Sequence, residues 1–356
     1  MEKLRQTLKH IRPLDMTLAV QIQARLDRLT KPRGSLGRLE EVALRYALIR
    51  RQLHPQLQQK VLFVCCADHG VCDEGVSAYP REVTVQMAYN YLRGGAAVTV
   101  LARQFGIAVQ VIDCGVAHDF ASDTQGLLQR KVGYSTANFT RGMAMPTHEA
   151  VQAVEIGIEV ATAAVRDGAQ LLGIGEMGIG NTTAATALLA ALGDYDPAEL
   201  TGVGTGIDES GRQHKIAVVR RALARNFPHP TDPLGCLARV GGYEIAAMVG
   251  ICLAGAALQV PVVIDGFIAT AAAWTAYALC PAAKAYFIFA HCSAEQGHAR
   301  VLETLHVRPL LHLDMRLGEG TGAALGMSLV EAAVRLLNEM ATFAEAGVSE
   351  QVEKRG

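Results

Sequence analysis

The chain has 356 residues, half of them apolar and 19% charged, with 33 Lys and Arg set against 34 Asp and Glu. That balance excludes an acidic disordered protein and a basic nucleic-acid binder, and it points to small-molecule partners. Thirty-five glycines alongside few aromatics suit an α/β enzyme that holds phosphates on main-chain N–H groups.

In chain order, MEKLRQTLKH alternates charge and lacks the apolar core of a secretory signal, so a cytoplasmic location is expected. Amphipathic helical patterns occupy residues 15–52 and 321–346, near the two ends. Between them, β-rich apolar runs over residues 61–67, 108–114, 170–174, 260–264 and 286–290 alternate with helical stretches. Those helical stretches lie near residues 82–105, 148–167, 182–192, 211–226, 243–258 and 267–279. The pattern predicts a parallel sheet with crossover helices. Residues 118–147 read as a loop-rich connection.

Residues 246–264 carry no charge, which approaches the length of a membrane span. Gly250, Gly255, Gln259 and Pro261 interrupt the run, and it ends in β-branched residues before Asp265. The stretch therefore reads as a buried helix leading into a buried strand. None of the eight cysteines forms a CxxC pair, and several sit in apolar runs as small hydrophobes, so no disulfide framework is expected.

The predicted strands end in Asp68-His69-Gly70, Asp113, Gly175-Glu176, Asp265-Gly266 and His291-Cys292-Ser293. In an open α/β sheet the carboxyl ends of the strands share one edge and ligands bind there, so these five segments are expected to meet at one site.

Residues 173–192, GIGEMGIGNTTAATALLAAL, run from a strand through glycines into an apolar helix that Asn181, Thr182 and Thr183 can cap. Free N–H groups and the positive helix end make an anion site, although no P-loop Lys-Ser/Thr follows. The segment contains GxGxxG at Gly173, Gly175 and Gly178, which keeps a dinucleotide fold open. Against that fold, Glu176 would stand beside a pyrophosphate, and the acid expected about 20 residues on would be Asp194, in a turn. The glycines could equally serve strand–helix packing alone.

A second glycine cluster, TGVGTGID at 201–208, precedes a basic helix whose Lys215 could meet a phosphate; the plain alternative is a solvated lysine. In RLGEGTGAALG, flexible residues flank Glu319, and Thr321 can cap the next helix. Asp68, His69, Asp73 and Glu74 lack a second His at ligand spacing, so a structural turn or a substrate-lining loop is favoured over a metal site. Tyr79-Pro80 ahead of an apolar helix could shape a flat slot for a ring.

Together with KPRGSLGRLE (31–40), NYLRGGAA (90–97), VVIDGF (262–267) and HCSAEQG (291–297), these segments resemble the nicotinate-nucleotide–dimethylbenzimidazole phosphoribosyltransferase family of cobalamin biosynthesis, nearly end to end. The resemblance implies a Rossmann-like parallel α/β domain, residues 56–320, with a small helical domain formed from residues 1–55 and 321–356, and a homodimer. It implies transfer of the phosphoribosyl group of nicotinate mononucleotide to 5,6-dimethylbenzimidazole or a related aromatic base, with inversion at the anomeric carbon. No cofactor or metal is called for.

By the same resemblance Glu319 is the general base, and Glu176 is a second catalytic candidate. Gly178, Asn181, Thr182, Gly204, Lys215 and Ser293 would hold the 5′-phosphate. Asp265 would lie near the ribose, and Tyr79, Gln86 and Met87 would border the base. A nicotinamide-dinucleotide oxidoreductase and a non-catalytic nucleotide-binding module are the competing readings.

Overall fold

Runs that are apolar at every position form strands buried on both faces. In the computed structural model, which describes residues 1–204 and 206–349, six strands make one all-parallel sheet, four of them buried along their whole length. They are β1 (Lys60–Ala67), β2 (Ala108–Gly115), β3 (Leu127–Gln129), β4 (Leu171–Met177), β5 (Val262–Ile264) and β6 (Phe287–Phe289). A separate parallel pair joins β7 (His291–Cys292) to β8 (Leu311–His312). The sheet order is β3-β2-β1-β4-β5-β6, so the winding direction reverses between β1 and β4. A crevice for ligand opens at such a reversal, outside the carboxyl ends of the strands.

Alternate residues of each strand sort into two cores. Phe63, Cys65, Leu172, Ile174, Val262 and Phe287 face helices Thr147–Arg166, Tyr243–Ala257 and Phe267–Leu279. Leu62, Val64, Leu171, Val263 and Ile288 face helices Ala19–Arg28, Arg38–Arg50 and Thr321–Glu339. Helices Thr147–Arg166 and Tyr243–Ala257 cross so closely that a Cβ on Gly157 would run into the Ala247 carbonyl, and one on Gly250 into that of Val154. The uncharged stretch is thus a buried helix followed by β5, and among the described residues no helix is long and apolar enough to cross a membrane.

The helices near both ends meet. The Thr30 N–H donates to the Ala341 carbonyl at 3.0 Å, and Arg25 Nε donates to that of Leu337 at 2.8 Å. Residues 350–356 of the C-terminal part lie outside the described residues, as does Thr205 of the second glycine cluster.

Several local expectations change. The pattern over 82–105 is two helices, Val83–Leu92 and Ala97–Phe105, broken at Gly94-Gly95, where Gly94 adopts φ +75°. The connection at 118–147 contributes the edge strand β3. Helix Asn181–Gly193 starts from Gly180 at φ +94° and helix Thr321–Glu339 from Gly320 at φ +88°, neither with a side-chain cap. Asn181, Thr182 and Thr183 therefore do not cap the first, nor Thr321 the second. A glycine turn enters each helix instead, leaving the side chains free for other partners.

Candidate active site

A cleft of about 520 Å³ opens at the carboxyl ends of β4 and β5. Glu176, Asp265-Gly266 and Ser293 line it, from three of the five strand ends expected to converge. Two do not reach it. Asp68 accepts from the Ala117 N–H at 2.8 Å, and Asp113 pairs with Lys131 at 2.8 Å and accepts from the Val116 N–H. Both carboxylates brace the chain leaving β2. The Asp68–Glu74 segment is structural as well: His69 bonds Glu244 at 2.7 Å, Asp73 pairs with Arg81, and Glu74 holds Asn138, Thr140 and Arg221.

The glycines of 173–180 serve packing. A Cβ on Gly173 would sit 2.7 Å from Met327 Sδ, and one on Gly175 would strike the main chain of Gly320. A Cβ on Gly178 would hit the Ala67 carbonyl, with the His69 ring 3.3 Å away. Gly178 lines the cleft as well, but GxGxxG is accounted for by strand–helix and strand–strand approach. Asp194 stands in a left-handed turn at the far end of its helix, at φ +53°, where no ribose-binding acid of a dinucleotide fold would be.

Two carboxyl groups meet in the cleft. Glu176, at the end of β4, accepts from the Asn181 side-chain amide and faces the Glu319 N–H at 3.4 Å. It bridges the first turn of helix Asn181–Gly193 to the Gly-Glu-Gly loop. Burial, with Asp265 adding negative charge, pushes the Glu176 carboxyl up to about 8. Glu319 is raised to about 7, chiefly by burial, with the Tyr91 hydroxyl favouring the ionised form and Asp265 opposing it. Gly318, Glu319 and Gly320 take φ +80°, +63° and +88° in succession. A glutamate in that region is strained by roughly 1–2 kcal/mol, so the loop holds Glu319 where its own preference would not.

One polar end of the cleft is built around Thr182. Lys215, 1% exposed, donates from Nζ to Thr182 Oγ1 at 2.7 Å. Burial lowers the Lys215 ammonium to about 8, against a weak opposing pull from Glu295. Gly204 lies so near that a Cβ there would be 3.0 Å from Thr182 Oγ1 and 3.1 Å from Lys215 Nζ. Asn181, Thr182 and Ser293 line the cleft directly, while Gly204 and Lys215 stand behind Thr182. The solvated-lysine alternative is excluded by the burial.

Asp265 lines the cleft, yet both its oxygens are engaged, by the N–H groups of Gly320 at 3.0 Å and Ala323 at 2.8 Å. Tyr79, 55% exposed, and Met87 border the apolar wall with Val83, Met177, Ile179 and Phe267. Gln86 points away: it is exposed on helix Val83–Leu92 and takes no part in the lining. One helical step separates it from Met87, and only one of two adjacent residues can face inward.

Sequence reasoning missed Met177, Ile179, Phe267, Glu295 and Arg316. Arg316 donates to the Gly204 carbonyl at 3.0 Å, and Glu295 accepts from the Gly204 N–H, clamping the loop over Lys215. The signal for Arg316 was present, a cation three residues before Glu319 in the same motif.

A family model described as phosphoribosyltransferase matches residues 11–348. Named nicotinate-nucleotide–dimethylbenzimidazole phosphoribosyltransferases are similar over full length. That of Geobacter metallireducens is 53% identical, covering 98% of each chain, and that of Chloroflexus aggregans 54%, covering 99% of this chain and all of its own. The crystal structure of CobT from Thermus thermophilus superimposes with a TM-score of 0.90 at 49% identity, covering 94% of this chain and 99% of that one. A second crystal structure from that organism, of the phosphoribosyltransferase under its full name, gives 0.89 at 48% identity, covering 95% of this chain and all of its own. With a buried lysine at one end of the cleft, a raised glutamate held in a strained loop, and relatives alike from end to end, this chain belongs to the nicotinate-nucleotide–dimethylbenzimidazole phosphoribosyltransferase family.

Proposed function

We propose that the protein transfers the 5-phosphoribosyl group of nicotinate mononucleotide to 5,6-dimethylbenzimidazole, giving α-ribazole 5′-phosphate and nicotinate. The single observation that carries the mechanism is Glu319: a carboxyl raised to about 7 in a cleft that Thr182 also lines, with the buried Lys215 ammonium behind that threonine. A base works best with a pKa near the working pH, where it is ionised often enough and still takes a proton readily.

The 5′-phosphate sits against Thr182, Asn181 and Ser293, with the Lys215 ammonium behind them. The benzimidazole ring lies along Met87, Val83, Met177 and Phe267, with Tyr79 at the mouth. Its unprotonated ring nitrogen attacks the anomeric carbon from the face opposite the pyridinium, which inverts that carbon. The bond to nicotinate breaks with its electron pair, and the pyridine nitrogen leaves neutral, needing no proton. That distinguishes the reaction from glycoside hydrolysis, where an alkoxide must be protonated by a second carboxyl. The N–H proton of the newly cationic benzimidazole passes to Glu319. Glu176, protonated near neutrality, adds no second negative charge to the cleft and fixes the Gly-Glu-Gly loop relative to Asn181.

The doubly wound order of the sheet supports a Rossmann-like description of the central domain, residues 56–320. The terminal helices would form the small domain. A cytoplasmic homodimer is the form proposed, to be read by light scattering of the purified protein. Incubating the protein with nicotinate mononucleotide and dimethylbenzimidazole and separating the products tests the reaction: an α-N-riboside phosphate with equimolar nicotinate is expected. Nicotinate release without a riboside, or no release, refutes it.

A further inference from the structure

His291, at the start of β7, is 1% exposed, and neither of its ring nitrogens has a hydrogen-bond partner. Nothing in the reaction above uses it. An orphaned imidazole in a protein interior is uncommon and calls for an explanation. Its Nε2 lies 3.8 Å from Asp265 Oδ1, too long for a hydrogen bond and close enough for charge to act. The seat is built for this ring. A Cβ on Gly322 would collide with the imidazole and stand 2.8 Å from Asp265 Oδ1, and one on Gly266 would be 3.2 Å from Nε2. Two glycines on different elements therefore make room for one histidine beside one carboxylate.

The neighbouring histidine has a different task. His298 Nδ1 accepts from the Ser293 N–H at 2.8 Å, so its proton is on Nε2, bonded with Thr270 Oγ1 at 2.9 Å. Burial and the nearby His291 push its pKa down to about 3, and it stays neutral. An unprotonated Nε2 would repel the acceptor oxygen it faces, so the tautomer with its proton on Nε2 is the one that suits this seat. It is thus the donor turned toward Asp265.

Asp265 in turn grips the residue that follows Glu319. Its Oδ2 accepts from the Gly320 N–H and its Oδ1 from that of Ala323, at the entrance to helix Thr321–Glu339. Burial raises the Asp265 carboxyl and so favours its neutral form, while His291 and the N–H groups of Ala323, Gly320 and Gly322 oppose that and favour the ionised one. A protonated Asp265 would lose acceptor capacity where two N–H groups point at it. We propose that His291 is a positioning residue: by presenting Nε2–H to Asp265 it keeps that carboxylate anionic, and the anionic carboxylate locks Gly320 and hence the strained Glu319 in the reactive geometry. The inference rests on Glu319 being the base, as read above. It differs from a simple packing role for His291 in what it demands of the side chain: a ring nitrogen bearing a proton, and not merely a filled volume.

The experiment compares His291→Gln, which keeps an N–H donor, with His291→Phe, which fills the space without one. Both are assayed with nicotinate mononucleotide and dimethylbenzimidazole beside the unaltered protein. The expected result is that His291→Phe loses roughly 10–100-fold in kcat, the scale of a small misplacement of a reacting group, while the KM for the mononucleotide stays within about threefold. His291→Gln recovers most of that loss. Should His291→Phe fail to fold, Asp265→Asn is measured: its amide donor meets an N–H donor, so the same fall in kcat with KM preserved is expected. Where His291→Phe folds, the losses in its double variant with Asp265→Asn should not add, because both act through one contact. Equal kcat in the Phe and Gln variants, a change confined to KM, or additive losses overturns the proposal. Product formation by the unaltered protein in the same assay separates that outcome from failure of the reaction itself.

Discussion

The Lys215 ammonium reaches Thr182 Oγ1 at 2.7 Å, so helix Glu209–Asn226 delivers a buried cation to the first turn of helix Asn181–Gly193. Its pKa is lowered to about 8 by burial, and a bound phosphate dianion would raise it. The affinity for nicotinate mononucleotide should therefore hold at neutral pH and weaken about tenfold per pH unit above about 8, until the pKa of the complex is reached. Lys215→Gln should raise the dissociation constant by roughly 10–100-fold, the loss of a charge-assisted hydrogen bond, and flatten that pH dependence. Calorimetric titration from pH 6.5 to 9.5 measures both.

For Glu319 the acidic limb of kcat/KM is the sensitive quantity. The carboxyl must be ionised to accept the benzimidazole proton, and its pKa is raised to about 7 in the free protein. kcat/KM should rise with pH up to about 7 and level off above it. Glu319→Gln should lower kcat by roughly 10²–10⁴ with mononucleotide binding preserved. A pH–rate profile with a titration of binding checks the pair.

Glu176 makes a prediction about stability. Its folded pKa, about 8, lies above the ordinary 4.5, so between those values the folded chain holds a proton that the unfolded chain has released. Stability contributed by this group is complete below about 4.5 and is lost as pH rises through about 8. Glu176→Gln keeps an acceptor for Asn181 and removes the titration. Its melting temperature should match the parent near pH 4.5 and exceed it by roughly 2–5 °C at pH 9, as read by thermal denaturation across that range.

The aromatic slot separates two adjacent residues. Met87 borders the cleft and Gln86 faces solvent. Met87→Ala should raise the KM for dimethylbenzimidazole roughly 5–50-fold through lost apolar contact. Gln86→Ala should leave it within about twofold. Steady-state kinetics with the mononucleotide saturating distinguishes them.

What could be read in advance was whatever left a local trace. Buried parallel strands appear as apolar runs, and a Gly-Glu-Gly loop advertises its carboxyl, so β1, β4, β5 and Glu319 were visible. Strands β7 and β8, two residues each, are too short for a periodic signal. Arg316 and Gly204 are 112 positions apart, and only the folded chain brings them together. The helix entries misled for another reason. Asn181 has the chemistry of a cap, but its amide is taken by Glu176, and Gly180 makes the turn. Gln86 shows the limit of a motif, which marks a helix without saying which side of it faces the ligand.

Helix Thr321–Glu339 follows every strand in the chain, yet it packs on the face formed by Leu62, Val64 and Val263 and knits to Arg25 near the other end. During synthesis, the part of that face not covered by helices Ala19–Arg28 and Arg38–Arg50 must therefore wait for a cover encoded hundreds of positions downstream. Long-range closure of this kind slows folding and leaves apolar strand surface open to wrong partners. The same element starts two residues after Glu319, so on the proposed mechanism a chain truncated ahead of it would be both inactive and prone to aggregate.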